Sequence, residues 1–583
     1  MSAALHRAAL HRAALHRAAL ALILFGSFLL ELHHLDHPAV KPLDEVFHAI
    51  VARNFLKHPL TPTLVERPYL AYNASDWLTN HIWLHKPPMA LWQIALSYRL
   101  FGVNTLGLRF PSAVLATLSA WLTYLIGAEL LDPTAGLIAA ALQAFNPVVM
   151  MLVHGYVFSD HVDISLLFWT ELAIYFLIRA VRTGKRIDLI LCGVAQGLAF
   201  LSKTFPALIV SGVALAAWLL PRTFLARGKV SRLGGRGMGW IILATAVTAG
   251  PWMASTAIRF PDKFSYENLQ ILHHVNQNVE NWAGPWDRLA FGYWISIFHV
   301  FYPAALAAGI WAVVRAVQKH DLRLWLIIAW TLGVMTPHLL VTSKTMSATL
   351  LGWPPAWLLL GYLISRAVRG DRWALGIWSI CMLLSAAWIK ADDIPRQGWG
   401  PGPGGFGSIM FQHLWVIWHV VAALIGGGLV GWLIATSQRR WPRWGLIAVA
   451  DATMLLVATR GWTGDHPAGY VRVAIQVTQS DARKPDFSAI GDFAAKLPPN
   501  AAFIVDEQER LENKLVEFAT DRSCYAMELN DWRPTARALT AAGALPYLVT
   551  PSTRDLPVVF VDAAQNRIVY ACTPAANRAG IGK

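Results

Sequence analysis

The stretch "PPMALWQIALSYRLFG" (87–102) decides how the chain is threaded. It is apolar enough to pass for a membrane span. Counted as one, it would put every later basic loop on the outer side of the membrane. Read as a helix lying on, or dipping into, the outer face, it keeps those loops inside. Its internal Arg99 and modest length fit an interfacial helix. The segment 87–104 is therefore expected to lie at the outer surface and not to cross.

Around this segment the chain reads as a polytopic membrane protein. Of its 583 residues 55% are hydrophobic and 14% charged, against about 25% charged in soluble proteins. Apolar runs of ~20 residues recur, each long enough for ~30 Å of hydrocarbon. The candidate spans are 18–33, 109–130, 134–153, 162–181, 187–202, 204–220, 238–257, 289–314, 323–341, 345–366, 372–390, 412–436 and 443–459. Basic clusters at Arg179–Arg186, Arg222–Arg236, Arg315–Arg323, Arg366–Arg372 and Arg439–Arg443 fall at every second loop, as the positive-inside rule requires. These clusters account for the net charge of +14, so the charge does not point to nucleic acid. The pattern predicts thirteen spans, a cytoplasmic N-terminus and an external C-terminus.

The ends differ from the middle. Residues 1–17 repeat LHRAA and read as a basic cytoplasmic tail. The apolar run after them has no cleavage signature, so an uncleaved first span is expected. From about residue 460 the segments "AAFIVDE", "CYAMEL", "PYLVT", "PVVFVDA" and "RIVYAC" read as short strands, with helices near 507–519 and 533–542. The expected fold is an all-α membrane domain over 18–459, with a first external loop at 34–108, and a small extracytoplasmic α/β domain over 460–583. Cys524 and Cys572 in that domain could pair if it is exported. Cys192 and Cys381 lie in apolar spans.

This topology places Asp44, Glu45, Lys86, Asp160, Asp163, Lys203 and Lys344 at one outer membrane face. External carboxylates, fixed cations and a membrane groove suit a lipid-linked phosphate donor. Cations would hold the phosphate leaving group. A carboxylate would take a proton from an acceptor hydroxyl, an effect of ~10²–10⁴-fold. Lys86 stands before Pro87-Pro88, which restricts its backbone and suits a pre-positioned phosphate ligand. The bland readings are helix caps for Asp44 and Asp163, a dipole contribution from Glu45 and interfacial anchors for the lysines.

The order "LDEVFHAIVARNFL … HKPPMALWQIALSYRLFGVNTLGLRFPSAVLATL" resembles the start of the protein O-mannosyltransferase superfamily, above all its bacterial branch with the aminoarabinose transferases of lipid A. "DISLLFWTELAIYFLIRA" (163–180), "GLAFLSKTFPAL" (197–208), "GPWMASTAIRFPDKFSYENL" (250–269) and "SKTMSATLLGWPP" (343–355) continue the resemblance over roughly 18–366. It implies the GT-C fold. It also implies transfer of a sugar from a polyprenyl-phosphate donor to a lipid, glycan or protein acceptor, with inversion, at the outer face of the bacterial inner membrane. Asp44 then corresponds to the family's first catalytic acid and Asp163, or its neighbour Asp160, to the second. Lys86 corresponds to the phosphate ligand, with Arg109, Lys203 and Lys344 as further phosphate contacts. Some relatives hold zinc beside the KPP lysine, which makes His85, His273 and His274 candidate ligands for a divalent metal. Here Asn268 stands at the matching loop position, and "SATLL" replaces a usual His-Tyr after "SK". Two competing readings remain, a transporter or flippase of lipid-linked sugars and a non-catalytic lipid-binding relative. A transporter should carry its charges near the membrane midplane, whereas these cluster at the rim.

Overall fold

The computed structural model describes residues 2–37, 40–72, 75–78, 80–155, 160–226, 231–277, 302–342, 350–378, 486–508, 511–528 and 530–581. The expected spans 412–436 and 443–459, the loop 391–411, Cys381 and all of 289–301 and 379–390 lie outside these residues. Helix α1 (Ser2–Leu32) runs through the LHRAA repeat into the first apolar run without a break. Three elements then precede the next long helix: α2 (Asp44–Phe55), a loop, and α3 (Met89–Phe101). The membrane bundle continues with α4 (Thr105–Leu130), α5 (Pro133–Ala144), α6 (Pro147–Val153), α7 (Asp160–Thr183), α8 (Arg186–Lys203), α9 (Ile209–Leu219) and α10 (Gly235–Arg259). After the short α11 (Pro261–Asn276) come α12 (Tyr302–Lys319), α13 (Leu322–Leu340) and α14 (Trp353–Val368).

Among the described residues five helical stretches are long and apolar enough to cross a membrane: Ala13–Leu32, Thr105–Leu130, His161–Thr183, Phe205–Arg222 and Gly235–Arg259. The expected span 134–153 is two helices, broken at Asn146 before Pro147, because proline has no N–H for the ladder and disfavours helix in the residue before it. Helix α3 has only 13 residues, about 20 Å of rise, too short for ~30 Å of hydrocarbon. It buries Leu91, Ile94 and Tyr98 and leaves Leu96 and Leu100 exposed.

Local sequence explains the boundaries. The Asn104 side chain accepts from Gly107 N and caps α4, while Asp132 caps α5 ahead of Pro133. Helices α4 and α5 then approach so closely that a Cβ on Gly127 would meet the Gly136 Cα. Such contacts replace the hydrophobic drive that lipid does not supply between helices. A buried polar pin adds to them: Glu171 of α7 accepts from Ser119 and Thr123 of α4.

The C-terminal unit is a mixed sheet ordered β2-β1-β3-β5-β4, built from β1 (Ala501–Val505), β2 (Cys524–Ala526), β3 (Leu545–Thr550), β4 (Val558–Asp562) and β5 (Arg567–Ala571). All five fall on the segments expected from sequence. Strand β1 pairs in parallel with β2 and β3, and β5 pairs antiparallel with β3 and β4. Around it lie α15 (Ser488–Ala495), α16 (Glu512–Thr520), α17 (Arg533–Ala541) and α18 (Pro574–Ile581). Cys524 and Cys572 are free thiols, which corrects the expected pairing. Strands β1 and β3 separate them at ~4.8 Å per strand, beyond disulfide reach.

This unit shares one hydrophobic core with α2 and α3. Val46, Phe47, Ile50, Trp83 and Leu91 cluster with Ile490, Phe503, Val516 and Val549. Arg53 at the end of α2 donates to Phe518 O at 2.9 Å and pairs with Asp521 at 3.2 Å, so it satisfies the C-terminal carbonyls of α16. Ser523 bonds Arg67 O, and Tyr525 accepts from Tyr69 N.

Candidate active site

Asp44 is the first residue of α2, and the backbone delivers it under strain. Leu43 has φ 74 and ψ −133, a region that a bulky L-residue rarely adopts and that recurs at functional sites. Across the loop, Lys86 Nζ stands 3.9 Å from Asp44 Oδ1, with both side chains mostly buried. From α7, Asp163 is fully buried and accepts from Lys203 Nζ at 2.9 Å. Its second oxygen has no hydrogen-bond partner among the described residues. The fields of Asp44, Glu45, Lys86 and Asp163 all reach one imidazole, His48. The first-loop acid, the KPP lysine and the second acid therefore share one neighbourhood.

Glu45, one residue on from Asp44, is engaged differently. Arg109 grips it bidentately, Nε to Oε1 at 2.7 Å and Nη2 to Oε2 at 3.1 Å. Lys41 N donates to Oε2 at 2.7 Å, and His161 Nε2 lies 3.4 Å from Oε1. His161 is in turn 2.8 Å from Ser112 Oγ. Gly155 has φ +65, and a Cβ there would collide with the Glu45 carboxylate; only glycine allows both the turn and the approach. Burial alone would push the Glu45 carboxyl up, but Arg109 and His161 more than offset it and hold it well below the usual carboxylate range. Arg109 also donates to Leu35 O and His37 O. The histidine-rich 31–37 stretch thus contributes backbone carbonyls, not imidazoles, to this lock. The guanidinium of Arg109, expected at the donor phosphate, and the carboxylate of Glu45, expected among the catalytic acids, are thus paired with each other.

The metal expectation fares differently again. His85 Nδ1 is 3.1 Å from Glu267 Oε2, and its ring stacks on Trp77 at 4.3 Å. Burial, then Lys86, pushes the His85 pKa down against the pull of Glu267. Glu267, not Asn268, is the α11 residue that faces it. His273 is exposed further along α11 and His274 half-buried. Among the described residues no three His, Cys, Asp or Glu side chains gather into a metal site. Two donors do not fill a tetrahedral zinc shell, so the expected set of His85, His273 and His274 is not assembled, and no step below runs through a metal. Lys344 lies outside the described residues, as does the side chain of Asp160, which opens α7.

Three residues of this region went unread in the sequence: His48, His161 and Glu267. His48 alone had a usable signal, because position i+4 from Asp44 lies on the same helix face.

The helical bundle and the C-terminal sheet have counterparts among known proteins. Residues 85–252 match the family described as dolichyl-phosphate-mannose-protein mannosyltransferase. An undecaprenyl phosphate-alpha-4-amino-4-deoxy-L-arabinose arabinosyl transferase of Pseudomonas aeruginosa is 27% identical over 410 residues, covering 65% of this chain and 68% of that protein. The crystal structure of ArnT from Cupriavidus metallidurans bound to undecaprenyl phosphate superposes with a TM-score of 0.58 at 17% identity, covering 97% of this chain and 99% of that one. These likenesses bear out the resemblance to the GT-C glycosyltransferase superfamily. The chain is a multi-pass membrane glycosyltransferase of the kind that uses lipid-linked sugars. A protein of the same description from Aeromonas hydrophila is 25% identical, and there the match spans 58% of the relative's length.

Proposed function

We propose that this glycosyltransferase moves a sugar from a polyprenyl-phosphate donor to an acceptor hydroxyl at the outer face of a bacterial inner membrane. The observation that carries the reading is the Asp44–Lys86 pair at 3.9 Å, set beside the Asp163–Lys203 pair and against an apolar bundle. The acceptor oxygen attacks the anomeric carbon while the bond from that carbon to the phosphate oxygen breaks. The acceptor's proton passes to Asp44. The polyprenyl phosphate leaves with its charge held by Lys86, and the anomeric configuration inverts. Asp163, with one oxygen on Lys203, orients the acceptor or the sugar. Lys203 and Lys344 are secondary phosphate contacts in this reading. Helix α3 lies in the outer interface with Leu96 and Leu100 toward lipid, the N-terminus is cytoplasmic, and the C-terminal unit is outside. A lipid A-type glycolipid is the acceptor class favoured by the relatives' description.

Membranes carrying the protein, incubated with labelled polyprenyl-phosphate sugars, test this reading. Wild type should transfer label to extractable glycolipid, Asp44→Asn should not, and Lys86→Ala should transfer much less at the same donor concentration. Equal transfer by all three would remove both residues from the site.

A further inference from the structure

We propose that Glu267 and His85 form a clamp that positions Lys86, so that α11 helps to hold the cation that receives the donor phosphate. The inference rests on Lys86 contacting that phosphate. His85 Nδ1 donates to Glu267 Oε2 at 3.1 Å, with both side chains largely buried, where such a bond is stronger than in water. The other anchor of His85 is Trp77, whose ring lies nearly parallel to the imidazole, at 14° and 4.3 Å. Trp77 in turn packs on Phe47 of α2 at 5.2 Å. One line of contacts, Phe47, Trp77, His85 and Glu267, thus joins the helix that carries Asp44, the loop that carries Lys86, and α11.

Lys86 needs such support because a lysine side chain has large rotamer freedom. Its ammonium can be aimed only if the backbone it springs from is fixed. Pro87 restricts Lys86 from one side, and the clamped His85 fixes the residue on the other. The ammonium then stands 3.9 Å from Asp44. Further back the loop is secured separately: Leu64 N donates to His81 O and Trp83 N to Pro62 O, each at 2.7 Å, and Asn54 of α2 donates to Thr63 O at 2.8 Å. His85 extends that anchoring from Trp83 to the residue beside Lys86. Near the end of α11, Val275 O accepts from Thr342 N at 3.0 Å, so α11 reaches from the Lys86 loop to the segment that leads to Lys344. The acid and the imidazole bond each other directly, which gives the pair a role that needs no metal.

The test reads Kd for undecaprenyl phosphate in the purified full-length protein, with donor KM and kcat for a labelled undecaprenyl-phosphate sugar that wild type transfers. Glu267→Ala should raise Kd and donor KM about tenfold and leave kcat within about threefold. Glu267→Gln keeps a carbonyl for the imidazole N–H and should stay within about threefold of wild type throughout. On a Lys86→Ala background Glu267→Ala should add less than about twofold, because the clamp acts through that lysine. Arg259→Ala, which releases the same loop at Leu60 and Thr61, should leave Kd within about twofold. An unchanged Kd in Glu267→Ala, the same loss on the Lys86→Ala background, or the same loss in Arg259→Ala overturns the proposal. So does a wild-type Kd that weakens on chelation and returns with zinc, which would make the two side chains metal ligands. If Glu267→Ala does not accumulate, His85→Phe decides, since it keeps a ring on Trp77 and removes the N–H. A Kd about tenfold weaker supports the clamp, and an unchanged one overturns it. A wild-type Kd in Lys86→Ala would instead remove the reading on which the inference rests.

Discussion

Asp44 and Glu45 are neighbours in the chain with the same chemistry, yet the fold treats them as opposites. Glu45 points into the bundle and receives a backbone N–H, both arms of Arg109 and the edge of His161. Asp44 points along the loop toward Lys86, with the ammonium at 3.9 Å, longer than a charge-assisted hydrogen bond of ~2.8 Å. A carboxylate whose oxygens are filled with donors cannot take a substrate proton. Asp44, facing a cation, is the one of the pair proposed to do so. Consecutive residues at a helix start diverge by about 100°, and that angle sends the two carboxylates to different partners.

The comparison can be broken at several points. The largest effect on stability is expected from Arg109→Ala, which strands Glu45 as a buried, uncompensated charge at a cost of about 3–5 kcal/mol. Thermal unfolding in detergent should show it, and adding Glu45→Gln should return part of the loss. A loss below 1 kcal/mol would mean the pair is hydrated. Lys86→Ala should act on the other acid's side, raising donor KM by about 10–100-fold, the worth of a hydrogen bond to a charged group, with Tm nearly unchanged. An unchanged donor KM would place the phosphate elsewhere.

The Glu45 lock also makes a statement about pH. The folded pKa of Glu45 is lowered, so its contribution is fully present above the ordinary carboxylate range. It is lost only as pH falls below that range through the depressed value. Tm should therefore not fall through titration of this pair between pH 8 and 5. A drop in that window that Glu45→Gln abolishes would contradict the lock. A smaller effect, about 1–2 kcal/mol, is expected from Arg53→Ala, which leaves α16 carbonyls without their donor. Protease cutting within 486–581 should quicken in that variant. Unaltered cutting would mean that α2 and the C-terminal unit are held by their shared core alone.

Much of this was legible in the sequence because it is written in short-range signals. The five strands showed as apolar segments bounded by turns. The parity of the basic loops marked 87–104 as a surface helix, and the helix found there, α3, has 13 residues. Asp44, Lys86 and Asp163 could be named because each sits in a local motif, "LDE", "HKPP" and "DISLLF". What could not be read depends on which side of a helix faces which neighbour. Glu45 and Arg109 are 64 residues apart, and nothing local says that they cancel each other. Glu267 and Asn268 differ by one helical position, and only the packing of α11 selects the one that faces His85. The expected cysteine pair failed for the same reason, since strand order, not spacing, keeps Cys524 from Cys572.

The most direct test sets the two neighbours side by side: Asp44→Asn and Glu45→Gln, each assayed for sugar transfer per folded molecule and for Tm. The account predicts that Asp44→Asn keeps the wild-type Tm and loses transfer by about 10²–10⁴-fold. Glu45→Gln should lower Tm yet transfer within about tenfold of wild type once corrected for folded protein. Transfer by Asp44→Asn at the wild-type rate, or a folded Glu45→Gln as inactive as Asp44→Asn, would contradict it.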